Sequence, residues 1–355
     1  MMSQSKIEEL IPIQLKSGLG YDIIIGQELD DLIANELGGN AFGVVDENVY
    51  DLYNQKLNFD RLGDRLYVLK SGEKSKQWKY VEEIAKKMLK TGCNRQTKMV
   101  AVGGGVTGDL SGFAASIFMR GIKIVHIPTT LLSCVDSSIG GKTGINLDNY
   151  KNILGAFHQP SKIIISANFF KTLSLREIRC GIGEIIKTAL LSQKVFDYVT
   201  ANISKILILD SQAVLDIIKL CVEFKDQITT SDEKEASLRK ILNLGHTIGH
   251  ALETSNRFKL SHGEYVLCGI ELESKIAREL GIINEEYYKT IMHLLHMVST
   301  PKVKIKKVDK LIKIMKADKK NAEGKIDFIF AKDQGETQEY LLEPDELRTL
   351  LEACI

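Results

Sequence analysis

Through the first 172 residues, short apolar runs alternate with amphipathic helical stretches, and that alternation is the strongest constraint on the fold. AFGVV (41–45), LYVLK (66–70), KMVAV (98–102), IKIVHI (122–127) and KIIIS (162–166) each have strand length and composition. QELDDLIANEL (27–37) and SKQWKYVEEIAKKMLKTG (75–92) have helical spacing, and the second stops at a glycine. IPIQL and YDIII, near residues 11–25, read as a strand pair. Strands that alternate with helices imply a largely parallel sheet covered on both faces.

The pattern changes near residue 173. From TLSLREIRCGIGEIIKTALLSQ to about residue 317 the helical period dominates. KIDFIFA and EYLL near the end suggest a small strand pair, and PDELRTLLEAC a closing helix. The expected organisation is an α/β domain over 1–172, a variant of the Rossmann layout, followed by a mainly α-helical domain over 173–355.

Composition limits the function classes. With 44% hydrophobic and 26% charged residues, the 355-residue chain can bury real cores as a soluble globular protein. A formal net charge of +1 gives no bulk attraction to nucleic acid or an anionic membrane, so neither is expected as a partner. No apolar run reaches 18 residues, and MMSQSKIEEL lacks the layout of a signal peptide. The six cysteines are far apart with no CxxC pair, and read as buried free thiols in a reducing cytoplasm.

GGGVTGD (103–109) follows a strand and precedes a helical stretch. Such a turn lets backbone N–H groups approach a pyrophosphate, but a bare tight turn fits the residues equally. The acidic residue expected about 20 positions later is missing, since the next strand ends in HIPTT. The acidic candidate is Asp46, earlier, in VVDENVY, and a second phosphate-friendly turn is SGEKSK (71–76).

LRKILNLGHTIGHALE (238–253) carries the densest polar signal. On one continuous helix, Arg239, Asn243, His246 and His250 fall within an arc of about 60°. A stripe of four polar groups on an otherwise apolar helix favours a site over solvated surface. HTIGH has zincin spacing, but Thr247 stands where the catalytic glutamate would be, which argues against a metalloprotease. His262 in SHGEYV and Glu184 in GIGEIIK can complete a His₂Glu catalytic metal set, although spacing alone does not bring Glu184 to the histidines. Lys187 lies one turn after Glu184. The segment DSSIGGKTGINLDNYKN (136–152) reads as a glycine-rich loop suited either to anions or to plain solvation. Arg120, Lys187 and Lys225 lie in apolar surroundings, where a cation needs an anionic partner.

SGEKSK, GGGVTGDLSGF, FMRGI, IPTTLLSCVDSSIGGKTGIN, KNILGAFHQP, GIGEIIK, LRKILNLGHTIGHALE, SHGEYV and DKKNAEGK together closely resemble the blocks of the 3-dehydroquinate synthases, in family order and over nearly the whole chain. The resemblance implies an NAD-holding α/β domain and a helical domain that holds zinc, or cobalt in its place. It implies metal ligands Glu184, His246 and His262. It implies that NAD is held by Asp46, Asn48, Glu73, Lys76, the turn Gly105, Val106, Thr107, Gly108 and Asp109, then Thr129, Thr130, Lys142 and Lys151. The implied substrate contacts are Arg120, Asp136, Lys142, Asn152, Lys187, Lys225, Arg239, Asn243, His250 and a lysine of the 318–320 turn, Lys319 or Lys320. Lys142, Glu184, Lys187 and His250 are the implied catalytic set.

The implied substrate is an anionic sugar phosphate, 3-deoxy-D-arabino-heptulosonate 7-phosphate, converted to 3-dehydroquinate in the shikimate route to aromatic amino acids. The resemblance implies that NAD oxidises a ring hydroxyl, phosphate is eliminated, the ketone is reduced back, and an aldol step closes the carbocycle. A homodimer is expected. Two neighbouring readings stay open: another sugar-phosphate cyclase, such as a 2-deoxy-scyllo-inosose synthase, and a polyol dehydrogenase of the glycerol dehydrogenase kind. A non-catalytic metal- or nucleotide-binding protein is a third.

Overall fold

The computed structural model describes residues 7–15, 18, 20–148, 150–233, 238–257, 259–317 and 324–355. The chain divides into two compact units: residues 1–173 together with 214–234, and residues 174–213 together with 235–355.

In the first unit, β1 (Ile7–Gln14), β2 (Gly20–Gly26), α1 (Asp30–Glu36), β3 (Ala41–Asp46), α2 (Glu47–Leu57), β4 (Leu66–Leu69), α3 (Trp78–Lys90), β5 (Lys98–Gly103), α4 (Gly105–Ile117), β6 (Ile124–Pro128), β7 (Lys142–Leu147), β8 (Tyr150–Phe157) and β9 (Lys162–Ser166) follow in order. Seven strands form one sheet in the order β1-β2-β9-β6-β5-β3-β4. Every pairing is parallel except β1 with β2. The strands alternate faces with period two. Phe42, Val44, Met99 and Ala101 join Val81, Ile84, Met88, Leu110 and Phe113 of α3 and α4 in one core. Ala41, Val45, Val100 and Val102 join Ile33, Val49, Tyr53 and Leu57 of α1 and α2 in the other. The central strands β3, β5, β6 and β9 are buried on both sides, which is why they read as nearly continuous apolar runs.

Residues 136–152 are not the single loop the sequence suggests. Ser133–Ser137 forms a π-helical turn, and β7 and β8 form a separate two-stranded antiparallel hairpin. Gly144 and Gly155 are the reason. A Cβ at Gly144 would lie 2.8 Å from the Leu154 carbonyl oxygen, and one at Gly155 2.4 Å from that of Thr143. The glycines serve close strand pairing rather than flexibility.

After β9 come α5 (Leu175–Leu191), α6 (Gln193–Leu207), α7 (Ser211–Ser231), α8 (His246–Ser255), α9 (His262–Glu279), α10 (Glu285–Met297), α11 (Val308–Lys316), β10 (Ile326–Asp333), β11 (Glu336–Leu342) and α12 (Pro344–Cys354). From Val214 onward α7 belongs to the first unit. β10 and β11 form the expected antiparallel pair, and Pro344 starts the closing helix at a position where no N–H is needed.

The second unit is centred on α5, α8 and α9, which approach each other through glycine. A Cβ at Gly183 would lie 2.2 Å from the Gly263 carbonyl oxygen, and one at Gly263 1.9 Å from that of Cys180. At Gly249 it would lie 2.9 Å from the Tyr265 oxygen, and at Gly269 1.9 Å from the Gly245 oxygen. Only glycine allows backbones this close.

Candidate metal centre and dinucleotide turn

The close-contact glycines immediately neighbour the side chains of interest: Gly183 precedes Glu184, Gly245 precedes His246, Gly249 precedes His250 and Gly263 follows His262. Three helices pressed together at these points bring four side chains to one place. Glu184 Oε1 lies 3.6 Å from His246 Nε2 and 3.4 Å from His262 Nε2. Glu184 Oε2 lies 2.5 Å from Lys187 Nζ, one turn along α5. His250 completes the group: one ring nitrogen each of His246, His250 and His262 lies within 4.8 Å of the others. Glu184 and Lys187 are almost fully buried.

The electrostatics are those of a buried anion among cations. Burial opposes the charge on Glu184, but Lys187 and His262 outweigh it and hold the carboxyl far below its usual range. Burial likewise opposes charge on His262, yet the Glu184 and Glu253 carboxylates that face its two ring nitrogens push its pKa up to about 9. Neither oxygen of Glu184 meets hydrogen-bond geometry despite these short ion-pair distances. The charges are close, but the donors are not aimed along the oxygen lone pairs.

The ring of His246 is oriented by its backbone, with Nδ1 3.0 Å from the Leu244 carbonyl oxygen. His262 is the first residue of α9. Its helix start is fixed by Glu264, whose Oε2 accepts from the Ser261 N–H at 2.8 Å and from the Ser261 hydroxyl at 2.9 Å.

The segment 238–253 is not one helix. Leu238–Asn243 forms 3₁₀ turns, Leu244 and Gly245 break the path, and α8 begins at His246. Gly245 has φ +75°, a left-handed conformation that an L side chain resists. The buried carboxylate of Glu273 holds the break open, accepting from Gly245 N–H at 2.7 Å and Ile248 N–H at 3.1 Å. The single 60° stripe through Arg239, Asn243, His246 and His250 therefore does not exist as a helical face. Arg239 is nonetheless almost fully buried, in a segment that packs on α5.

In the first unit, the glycine turn lies between β5 and α4 as the sequence suggests. β3 and β5 are neighbours, with Val45 beside Val102, so Asp46 and Gly103 end adjacent strands. A Cβ at Gly103 would sit 3.0 Å from Asp46 Cβ. An acidic residue, absent after the turn, thus stands at the end of the neighbouring strand β3, where the strand order reverses across the sheet. Asp46 Oδ1 accepts from Asn48 N–H at 3.0 Å and from the Ser71 hydroxyl at 2.6 Å. Gly104 and Gly105 are tightly enclosed, with Cβ positions 3.0 Å from Thr130 and from Ser137. The turn lines a pocket with Asp109, Pro128, Ser137 and Lys142. The buried hydroxyls of Thr107, in the first turn of α4, and of Ser137 have no hydrogen-bond partner. Thr129 N–H donates to the Gly103 carbonyl at 3.0 Å, and the Thr130 hydroxyl lies 2.8 Å from that of Ser133.

Lys76 is buried, 2.5 Å from Asp109 Oδ2. Burial still raises the Asp109 carboxyl above its usual range, against the pull of Lys76. Glu73 accepts from Asn146 at 2.7 Å and lies 3.9 Å from Lys151. Asn152 takes φ +52°, its N–H donating to the Asn146 side-chain oxygen at 2.9 Å. Lys225 on α7 donates to Asp136, to the carboxylate at 2.8 Å and to the carbonyl at 2.6 Å. It is buried and paired as expected.

Arg120 departs from expectation. It is exposed, not set in an apolar interior. It stands at a strained turn, where Met119 has φ +48°, Arg120 φ +69° and Gly121 φ +116°. The strain turns its side chain out of the core that Phe118 enters. Lys142 is exposed as well. Lys319 and Lys320 lie outside the described residues. Sequence reasoning missed Glu253 and Glu273, two buried carboxylates beside the histidines. Glu253 was within reach of the helical spacing, three residues after His250.

No helix of the described residues is long and apolar enough to cross a membrane. Residues 66–180 match the family model of the 3-dehydroquinate synthase N-terminal region and 181–321 that of its C-terminal region. A 3-dehydroquinate synthase of Alkaliphilus metalliredigens (strain QYMF) is 41% identical over 339 residues, covering 93% of this chain and 95% of the relative. Among solved structures, 2-deoxy-scyllo-inosose synthase in complex with carbaglucose-6-phosphate, NAD+ and Co2+ has a TM-score of 0.86 at 22% identity, covering 97% and 99% of the two chains. The 2-epi-5-epi-valiolone synthase of Streptomyces hygroscopicus subsp. jinggangensis 5008, with NAD+ and Zn2+ bound, has a TM-score of 0.84 at 25% identity over 99% of each. With both family regions matched in order and two-fifths of the residues shared with a relative along its length, the chain belongs to the 3-dehydroquinate synthase family.

Proposed function

We propose that this enzyme converts 3-deoxy-D-arabino-heptulosonate 7-phosphate to 3-dehydroquinate and phosphate, using catalytic NAD and one divalent metal, zinc or cobalt. The observation that carries the reading is the buried Glu184–His246–His262 cluster in a member of this family. A buried carboxylate with two imidazole nitrogens within 3.6 Å, and with no aligned hydrogen bond of its own, is a donor set suited to a divalent ion. The glycine turn suits a pyrophosphate: free N–H groups begin α4, and two unpartnered hydroxyls flank them. When bound, NAD supplies reversible hydride acceptance and the metal Lewis acidity toward substrate oxygens.

The chain's own residues would then divide the work. Asp46 and Asn48 suit ribose hydroxyls at the end of β3. Gly105 through Asp109 hold the pyrophosphate, with Glu73, Lys76, Thr129, Thr130, Lys142 and Lys151 around the cofactor. Arg120, Asp136, Asn152, Lys187, Lys225, Arg239, Asn243 and His250 are assigned to the substrate, to hold and orient it, and Lys319 is assigned to it as well. Arg239 presents a planar fork that matches a carboxylate in bidentate fashion, which favours the heptulosonate over a neutral hexose phosphate. Lys187 keeps its ammonium beside Glu184, and His250 offers a ring nitrogen to move a proton or to bond phosphate. The functional domains of this reading are residues 1–172 for NAD and 173–355 for metal and substrate, and the enzyme works as a homodimer.

The test is phosphate release from the heptulosonate phosphate with and without added NAD and metal. Release that requires both, with no net gain at the NADH absorbance, is expected. Release independent of NAD, or equal turnover of glucose 6-phosphate, overturns the reading.

A further inference from the structure

The Glu184 face of the histidine cluster accounts for Nε2 of His246 and of His262. It leaves open what fixes the opposite side of each ring. For His246 that is the Leu244 carbonyl. For His262 it is a side chain: Nδ1 lies 3.5 Å from Oε2 of Glu253, a buried carboxylate on α8 whose side chain is 6% exposed. Glu253 lies seven residues after His246 and three after His250, so it shares their helical face.

We infer that Glu253 is a positioning residue for the metal centre: it holds a proton of His262 on Nδ1, so that the Nε2 proton is the one a metal displaces and Nε2, facing Glu184, is the ligand atom. This rests on the metal reading above and adds a residue that touches neither metal nor substrate. The chemistry is specific. A neutral imidazole carries its proton on either nitrogen, and only the Nδ1–H form presents a lone pair at Nε2. An ionised carboxylate accepts but does not donate, so it selects that form, and it makes the ring a stronger donor. His262 needs such a partner more than His246 does. Its side chain is 29% exposed against 11%, and it opens α9, so helix packing restrains it less.

The test is zinc affinity of the full-length protein, measured by chelator competition, for wild type, His262→Ala, Glu253→Gln and Glu253→Ala, with NAD affinity measured in parallel. Glutamine keeps an acceptor oxygen but loses the charge, so the order expected is wild type, then Gln, then Ala, with losses between about 10- and 100-fold. NAD affinity should not change. A Co2+-loaded Glu253→Gln protein should also show altered visible absorption, which a loss of stability alone would not produce. If wild type holds no stoichiometric zinc, the metal reading itself falls and this inference with it. If wild type binds and His262→Ala does not, but Glu253→Gln stays within twofold of wild type, the positioning role is overturned while the metal site stands. Should Glu253→Ala fail to fold, Glu253→Gln decides alone by the same threshold.

Discussion

Gly263→Ala should break the metal centre without touching any ligand. The new Cβ would lie 1.9 Å from the Cys180 carbonyl oxygen and 2.7 Å from its carbonyl carbon. Both are backbone atoms, so no rotamer change relieves the clash. Reaching even 3.0 Å requires α5 and α9 to part by about 1 Å. Glu184 and His262 flank that contact, and their facing atoms are 3.4 Å apart. A metal site tolerates about 0.2 Å in donor distance, so a shift of this size removes one ligand. The direct packing cost is about 1–3 kcal/mol, which lowers Tm by several degrees in a unit of this size. Zinc affinity should fall at least tenfold, a larger effect than the thermal shift implies. NAD affinity should hold, because the glycine turn belongs to the other unit. The assays are chelator competition for zinc, calorimetry for NAD and thermal unfolding by circular dichroism. A folded Gly263→Ala protein that binds zinc as wild type does would refute the claim that close helix approach sets the ligand geometry.

Three other outcomes follow from the same physics. Gly105→Val should weaken NAD binding sharply in a fluorescence titration, because its Cβ position already meets Ser137 at 3.0 Å on the side where the N–H groups must stay open; unchanged affinity would count against the turn as the pyrophosphate site. Glu273→Ala leaves the Gly245 and Ile248 N–H groups without their buried carboxylate and should cost about 3 kcal/mol in urea unfolding, with less than 1 kcal/mol pointing to another acceptor. Burial lowers the pKa of His126 to about 4, with His158 adding repulsion. The unfolded chain takes up this proton near pH 6.5, so the stability is complete above that value and is lost as pH falls toward 4, by about 3 kcal/mol. His126→Gln should flatten that part of the stability–pH curve, and an identical curve for variant and wild type would remove His126 as its cause.

Most of the sheet was legible because β3, β5, β6 and β9 are buried on both faces and had to be apolar. The hairpin at 142–157 was not, since its glycines serve cross-strand contact and look like loop glycines in one dimension. The break at Gly245 escaped for a related reason. A helical period runs through LRKILNLGHTIGHALE, and only a carboxylate 28 residues away makes the kinked path favourable. Arg120 read as buried because its neighbours are apolar, yet two consecutive left-handed residues turn it outward.

By itself, then, the sequence determined which residue types exist for the chemistry and which local elements carry them. Glu184 on one helix, His246 and His250 on a second and His262 at the start of a third follow from local patterns and local capping, which act within a few residues. What only the tertiary structure decided is that these groups meet, that Asp46 stands beside a glycine turn nearly sixty residues later, that Glu253 lies against His262 and that Glu273 holds the break at Gly245. Those facts depend on how closely backbones approach across the chain. That distance is set by missing side chains at Gly183, Gly249, Gly263 and Gly269, and a missing side chain shows its purpose only once its neighbour is in place.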